Sequence, residues 1–297
     1  MGYYDVYHRA EVVATRRLTP HLVRVELGGE GLRAWSTSGA PDERLVLVLP
    51  APGTREAVAP TTMPDGTQDY PDPDDQPPMR SYTVRSWDPV THRMAVELVV
   101  HDGGVASTWA RTTRPGDVIY VTGAMGWYRP PADAAWQLLV ADLAGLPALA
   151  RTVEELPADA RAHALVEVPT EADQVEVSSA TDVTWTWLVG SGNEVGPSRL
   201  AAAVADLATP DGPGYVWFAA EASASRAVRK HLRHERRLPG AACTVLGYWR
   251  LDSERWDARY AEVAPTLEAV YTDAVAAGVS SDAALELYDE ALERVGL

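Results

Sequence analysis

Hydrophobic and polar positions in the first 130 residues alternate over short stretches, as they do in β-strands with one buried face. In Leu22–Leu27, the apolar residues Val23, Val25 and Leu27 alternate with Arg24 and Glu26. Similar strand-like segments are Ala10–Arg16, Arg44–Leu49, Ser81–Arg85, Met94–His101 and Asp117–Thr122. The pattern predicts a β-barrel or β-sandwich domain, residues 1–130, that ends near Arg129-Pro130-Pro131.

Beyond residue 131 the periodicity changes to alternating strands and helices, which is typical of a parallel α/β sheet. Predicted strands are Gln137–Ala141, His163–Val168, Thr184–Val189, Tyr215–Ala219 and Ala242–Gly247, and predicted helices are Leu146–Leu156, Ser198–Leu207 and Ala222–Arg237. This second domain is predicted over residues 131–250. Two amphipathic helices, Pro265–Ala277 and Ser281–Val295, are predicted in a docked C-terminal extension of residues 251–297.

Residues 50–79 interrupt the strand pattern. They are rich in Pro, Asp, Gly and Thr, and Asp69–Pro78 is expected to form neither helix nor β-ladder. The sequence predicts a long mobile loop here, in a position to gate a site.

Composition narrows the function classes. The 297 residues carry a net charge of −16, which argues against nucleic acid or an anionic membrane surface as a partner, because both attract basic surfaces. The lone Cys243 excludes an internal disulfide and a cysteine-based metal site, and we expect no metal site. Without a signal-peptide core or a membrane-length apolar run, the expected location is the cytoplasm.

Candidate chemistry is concentrated in Met79–Arg85, a predicted strand of sequence MRSYTVR. A guanidinium is permanently charged and its planar fork fits phosphate oxygens, so Arg80 or Arg85 could anchor a pyrophosphate. Tyr82 could stack on a flavin ring. Strand alternation would place Arg80, Tyr82 and Val84 on one face and the residues between them on the other. Taken alone, the segment also fits an exposed strand with a charge at each end.

Two further segments have ligand-binding character. After a strand that ends at His101, Gly103-Gly104 would expose backbone amides, and Ala106-Ser107 would open a helix whose N-terminus attracts a pyrophosphate; a hairpin followed by a short helix explains the same residues. Gly247-Tyr248-Trp249-Arg250 ends the last predicted strand, at the carboxyl edge where open α/β sheets bind ligands. Core packing of the two aromatic rings is the alternative there.

A glycine-rich segment, Gly190–Gly196, follows the third strand of the second domain. It is similar to a dinucleotide-binding loop. However, it follows an inner strand instead of the first, and the next strand does not end in an acidic residue that would hold a ribose. A simple strand-to-helix turn is the preferred interpretation.

The order of these motifs resembles the siderophore-interacting protein family of ferredoxin-reductase-like flavoproteins, from Val6 to Trp256. The segments that carry the resemblance are Met79–Arg85 with Trp87-Asp88-Pro89, His101–Ala110, Arg114–Asp117, Gly145–Arg151 and Gly247–Arg250. The resemblance implies a β-barrel FAD-binding domain, followed by a Rossmann-like α/β domain of the NAD(P)-binding type.

It also implies an enzyme in which FAD, reduced by NADH, NADPH or ferredoxin, reduces ferric siderophores and releases ferrous iron. The flavin carries the chemistry, so no catalytic side chain is assigned, and Thr83 is expected near the flavin N5. The residues expected to bind FAD are Arg80, Ser81, Tyr82, Thr83, Arg85, His101, Gly103, Gly104, Ala106, Ser107, Tyr248 and Trp249. The residues expected to bind the anionic substrate or lie beside it are Asp142, Arg250, Arg255 and Arg259.

The chain departs from the family pattern near the expected nicotinamide pocket. Leu143-Ala144 replace an acid and a hydroxyl, Met125 stands where many members have arginine, and Val105 replaces a proline. Two alternatives therefore stay open: a flavoprotein recruited to biosynthesis, acting on another substrate or in a non-redox step such as a cyclisation, and a binder of ferric siderophore or metabolite without turnover.

Overall fold

The N-terminal half forms a closed six-stranded barrel. The computed structural model describes residues 6–70, 72, 76–279 and 281–295, without the side chains of residues 253–255, 257–258, 281–283, 285–286, 289 and 293. The strands of this half are β1 Tyr7–Thr19, β2 Leu22–Gly28, β3 Arg44–Val48, β4 Thr61–Thr62, β5 Gln68–Asp69, β6 Met79–Asp88, β7 Arg93–Val99 and β8 Val118–Thr122. The barrel order is β1-β2-β7-β6-β3-β8, which confirms the predicted barrel.

The barrel interior is filled by the apolar residues of the alternating pattern. Val25, Leu47, Val96 and Val121 are at most 1% exposed and belong to one cluster. A single α-helix, α1 at Val105–Thr112, covers this cluster with Trp109 and other buried residues. Burial of this face stabilises the barrel by the hydrophobic effect.

The second half is a five-stranded parallel sheet. Its strands are β9 Trp136–Ala141, β10 Ala162–Val168, β11 Val183–Val189, β12 Gly214–Glu221 and β13 Cys243–Trp249, in the order β11-β10-β9-β12-β13. Helices α2 Leu146–Glu155, α3 Leu200–Asp206 and α4 Ala222–Lys230 follow the first, third and fourth of these strands. Separate hydrophobic clusters lie on its two faces, as the predicted α/β architecture requires.

Buried polar contacts join the barrel to the sheet. Arg151 on α2 donates to Glu43 of the barrel at 2.9 Å and to the Val84 carbonyl at 2.7 Å. The Asp42 carboxylate accepts from the Trp217 indole at 2.9 Å. These contacts hold the outer face of β6 against the carboxyl edge of the sheet.

The C-terminal helices differ from their predicted bounds. They are α5 Ser253–Ala276 and α6 Ser281–Arg294, so α5 begins well before Pro265. This proline lies inside the helix, whereas the amphipathic pattern predicted a helix that begins at Pro265. The two helices pack on each other around Leu267 and Leu292. No helix in the described part of the chain is both long and apolar enough to cross a membrane.

Within the predicted loop 50–79, residues 71 and 73–75 lie outside the described residues, and the described remainder contains regular structure that the loop prediction lacked. Asp69 pairs with Thr61 in the short β4–β5 hairpin. Tyr70 is 6% exposed, its ring meets Tyr7 edge-on at 5.6 Å, and its hydroxyl donates to the Val58 carbonyl. Aromatic packing against the barrel explains the difference, because composition alone does not reveal such an anchor.

Candidate flavin site at the domain junction

The predicted motif forms β6, whose two faces are both covered around Thr83 and Val84. Tyr82 and Val84 pack against the barrel core, while Thr83 points the other way and is 4% exposed. Burial raises the pKa of the Tyr82 hydroxyl to about 12. A β-bulge lies between Val84 and Ser86. The alternation therefore holds up to Val84, and the outer face is buried because the second half of the molecule covers it.

Arg85 lies at this bulge and faces the second half of the molecule, as Thr83 does. Its guanidinium donates to both carboxylate oxygens of Glu154 on α2, at 2.7 and 2.5 Å, and it also lies 3.6 Å from Glu97. The expectation that Arg85 anchors a pyrophosphate does not fit these surroundings, because two carboxylates already neutralise the cation. Arg80 and Ser81 are exposed on the same strand, so Arg80 is the more available cation of the motif.

The loop after His101 has the conformation that its glycines predict. Gly103 and Gly104 adopt φ of 82° and 75°, a region that favours glycine, and α1 begins directly after them. The Ser107 hydroxyl accepts from the His101 amide at 2.9 Å and donates to the His101 carbonyl at 2.6 Å. Ser107 and Ala106 are buried, so they stabilise the loop conformation and are not available to a ligand. The backbone amides of the exposed Gly103 and Gly104 are the accessible groups of the loop.

Thr83 and Tyr248 meet where the barrel contacts the carboxyl end of β13. Their hydroxyls face each other, and burial raises the pKa of Tyr248. Both hydroxyl oxygens are buried and interact with each other, but neither makes a hydrogen bond of normal geometry to any described residue. An unpaired buried polar group carries a desolvation cost, so the two hydroxyls have capacity left to hydrogen-bond a ligand.

Arg44 adds a cation that the sequence prediction missed. Its guanidinium carbon lies 4.5 Å from the centroid of the Trp127 ring and 4.7 Å from that of Tyr248. The buried Arg44 Nε also has no hydrogen-bond partner among the described residues. The Asp42-Glu43-Arg44 triplet could have indicated this cation in the sequence. Three consecutive charged residues are unusual at the start of a strand whose other residues are apolar and mostly buried.

Asp142 organises the carboxyl edge of the sheet. One of its oxygens accepts from the amides of Ala144 and Gly145, and the other accepts from the Glu221 amide and the Trp249 indole at 3.1 and 2.5 Å. The side chain is 2% exposed. The expected direct contact of Asp142 with substrate does not fit this arrangement, because protein donors already occupy both oxygens. Trp249 is held in place by the same carboxylate.

Asp142 also predicts a pH dependence of stability. Burial is the main cause that raises its pKa to about 6, against opposing hydrogen bonds that begin with Trp249. A raised carboxyl pKa stabilises the folded state at low pH, and this contribution is lost as pH rises through 6.

We therefore compare the free energies of unfolding of the wild type and of Asp142→Asn, which cannot titrate at this position. The stability of the wild type relative to the variant should fall by about 2 kcal/mol between pH 4.5 and pH 7. Urea unfolding of both proteins at the two pH values measures this difference. A difference that is constant or rises with pH would contradict the assignment.

The glycine loop after β11 closes over the same edge. The Asn193 side-chain oxygen accepts from the Leu143 amide at 3.0 Å, and the Glu194 carboxylate lies 3.4 Å from the His101 ring. Beneath the loop, Glu167 is fully buried, and a Cβ on Gly192 would lie 2.3 Å from its carboxylate. The loop is thus more than a simple turn, since it connects the His101 loop to the start of α2.

The candidate substrate arginines do not form one group. Arg250 stacks on the Trp256 ring at 3.5 Å. Arg259 is exposed and donates to the Val295 carbonyl near the end of α6. Arg255 lies on α5, but its side chain is outside those that the structure describes. Of the three, Arg250 lies nearest in sequence to the end of β13.

These residues fit a flavin dinucleotide. The buried Thr83 and Tyr248 hydroxyls offer polar partners to a heteroaromatic ring that carries donors and acceptors. The exposed Gly103-Gly104 backbone and the Arg80 guanidinium are suited to phosphate oxygens. Thr83, Tyr248 and the His101 loop all lie where the barrel meets the carboxyl edge of the parallel sheet, the usual ligand position in open α/β sheets.

Known proteins place the chain in a family. The pattern of the siderophore-interacting FAD-binding domain matches residues 11–127, and that of the siderophore-interacting protein matches residues 134–252. An NADPH-dependent ferric-chelate reductase of Escherichia coli is 30% identical, over 82% of this chain and 92% of the relative.

Solved structures agree with this assignment. A siderophore utilization protein from T. fusca has a TM-score of 0.75 at 34% identity and covers 84% of this chain and 95% of its own. The siderophore-interacting protein SipS from Aeromonas hydrophila has a TM-score of 0.71 at 27% identity, with 88% and 99% covered. The chain belongs to the siderophore-interacting protein family and carries its FAD-binding domain.

Proposed function

We propose that this protein is a flavoenzyme that reduces ferric siderophores in the cytoplasm, with NADPH, NADH or a reduced ferredoxin as the electron donor. The observation that carries the proposal is the buried pair of Thr83 and Tyr248 hydroxyls at the domain junction, which make no hydrogen bond of normal geometry to any described residue. Family membership and the name of the Escherichia coli relative support the same chemistry.

The chain's own residues would bind and orient the cofactor. Arg80 and the Gly103-Gly104 backbone would hold the pyrophosphate, with Ser107 fixing the loop conformation. Thr83 and Tyr248 would contact the ring. The expected stacking of Tyr82 on the flavin does not fit, because Tyr82 packs into the barrel core on the opposite face of β6. When bound, FAD accepts electrons in pairs and passes them singly to iron, which converts ferric iron to the more weakly chelated ferrous ion.

The substrate needs a local positive site because the protein is strongly acidic overall. Arg250, held against Trp256 just beyond β13, is the proposed contact for an anionic ferric siderophore. Arg259 binds a backbone carbonyl of the C-terminal hairpin, and we propose that it stabilises this extension.

One observation favours a second candidate function, a flavoprotein recruited to another substrate or to a non-redox step. The amides at the start of α2 are already bound: those of Ala144 and Gly145 by Asp142, and that of Leu143 by Asn193. A dinucleotide that used these amides would have to displace protein acceptors. Reduction by NAD(P)H in that binding mode is therefore disfavoured, whereas a protein donor such as ferredoxin does not need the amides.

An anaerobic titration of the FAD-loaded protein separates the candidates. NADPH, NADH and reduced ferredoxin are added in parallel while the visible flavin band is followed, and a ferric siderophore with a ferrous-iron indicator is then added. We expect at least one donor to bleach the band and the siderophore to restore it, with formation of ferrous iron. No bleaching by any donor would contradict the reductase proposal, and no FAD binding would favour a binder without turnover.

A further inference from the structure

The Arg44 guanidinium lies on the same face as the candidate flavin contacts. Arg44 is the register partner of Thr83 across β3 and β6, and on its other side it forms a β-bridge with Met125. Directly paired residues in antiparallel strands project to the same side. A row across three adjacent segments is therefore formed by Thr83, Arg44 and Met125. The side chains of this row project from the barrel towards the domain junction.

Two aromatic rings hold this cation. The Arg44 guanidinium lies between Trp127 and Tyr248, and cation–π contacts of this kind stabilise a charge away from water. Trp127 is itself fixed, because its amide donates to the buried Asp42 carboxylate at 2.8 Å. The cation is thus positioned before any ligand arrives, which lowers the entropic cost of using it.

One hydrogen-bond donor of Arg44, its Nε–H, is not used by the part of the chain that the structure describes. This Nε is buried, and the hydroxyls of Thr83 and Tyr248 are buried without a hydrogen bond of normal geometry to any described residue. Three unsatisfied buried polar groups that adjoin one another indicate a shared ligand, because each would otherwise carry its own desolvation cost. Besides Arg44, the charged groups that act on the pKa of Tyr248 are Asp42 and Asp142. Both carboxylates already accept hydrogen bonds from indole and amide donors.

We propose that Arg44 contacts the flavin ring beside Thr83 and raises its reduction potential. The inference rests on the proposed flavin site and extends it to a residue that sets its electronics. Uptake of two electrons from the donor adds negative charge to the ring, and a fixed cation beside the ring stabilises the reduced form more than the oxidised form. Arg44 thereby supplies a cation on the face that it shares with Met125.

The test compares the affinities of the apo-protein for oxidised and reduced FAD. Arg44→Gln and Arg44→Met both remove the charge but keep a stem between the two rings. We expect either variant to weaken binding of reduced FAD at least tenfold more than binding of oxidised FAD. For a two-electron couple this lowers the midpoint potential of the bound flavin by about 30 mV. Arg44→Lys retains the charge and should keep the potential closer to that of the wild type.

Met125→Arg provides an independent variant. In the Arg44→Gln background it should restore much of the potential, because it returns a cation to the same face from the neighbouring segment. In the wild-type background it should raise the potential, so the proposal stays testable if the Arg44 variants do not fold. Arg33→Gln is the matched control: it removes one positive charge from a side chain that is 65% exposed, and it should leave the potential unchanged.

Two results would overturn the inference. One is a wild-type potential in folded Arg44→Gln or Arg44→Met. The other is a potential that does not move in Met125→Arg. Failure of the wild-type protein to bind FAD would instead contradict the proposed function, so the two failures are distinguishable. Thermal unfolding of every variant separates a loss of fold from a loss of charge.

Discussion

Glu43→Ala should destabilise the protein by about 3–5 kcal/mol, because it leaves a buried guanidinium without its main barrel partner. Glu43 is 0% exposed. One of its oxygens accepts from Arg151 and Thr37, and the other accepts from the Ser38 amide and hydroxyl. Urea unfolding with a two-state fit measures the change, provided that the barrel and the sheet unfold together.

Glu30→Ala is the control for Glu43→Ala. Glu30 pairs with Arg33 at 3.0 Å, but its side chain is 81% exposed, so its removal should change the free energy of unfolding only slightly. Similar losses for the two variants would show that the Glu43–Arg151 pair does not hold the domain junction. Separate unfolding of barrel and sheet in Glu43→Ala would show directly that the pair couples them.

Gly104→Val should weaken FAD binding at least a hundredfold, or about 2.7 kcal/mol. Gly104 has a φ of 75°, and an added Cβ would lie 3.3 Å from the His101 ring. A β-branched residue is strained at this φ, so the loop must change shape and withdraw the amides that we propose for the pyrophosphate. Quenching of flavin fluorescence on binding gives the affinity.

Gly212→Val is the matched control. Gly212 has a similar φ of 92°, and an added Cβ would make only an ordinary contact with Ala135 at 3.8 Å. It precedes β12, at the opposite end of the sheet from the candidate site. We expect a comparable loss of stability in both variants and a loss of FAD affinity only in Gly104→Val. Wild-type FAD affinity in Gly104→Val would remove the His101 loop from the proposed site.

Much of the fold followed from local patterns. Alternation in Leu22–Leu27 predicted β2, because a strand that is buried on one face has an apolar residue at every second position. The apolar run in Gln137–Ala141 predicted β9, because a strand of a parallel sheet is buried on both faces. The start of α5 was predicted wrongly at Pro265, because the helix begins at Ser253 and continues through the proline. The bulge at Arg85 was also missed, as nothing in the motif distinguishes a bulged strand from a regular one.

Part of the candidate site could likewise be predicted. Glycines with positive φ after His101 and the carboxyl-edge position of Tyr248 follow from residue type and element order. The partners of Arg85, Asp142 and Arg44 do not, because each lies on an element distant in the sequence. An arginine that pairs with a carboxylate and one that faces a ligand look the same in a sequence.

The sequence by itself determined a barrel followed by a parallel sheet and the order of the family motifs, because periodicity and turn chemistry act over a few neighbouring residues. Only the tertiary structure decided which charges remain available at the junction. It brought Glu154 to Arg85 and Asn193 to Leu143, and it left Arg44 between two aromatic rings beside Thr83. The physical reason is that a buried charge is governed by what packs against it, and packing at this junction joins residues that are far apart in the chain.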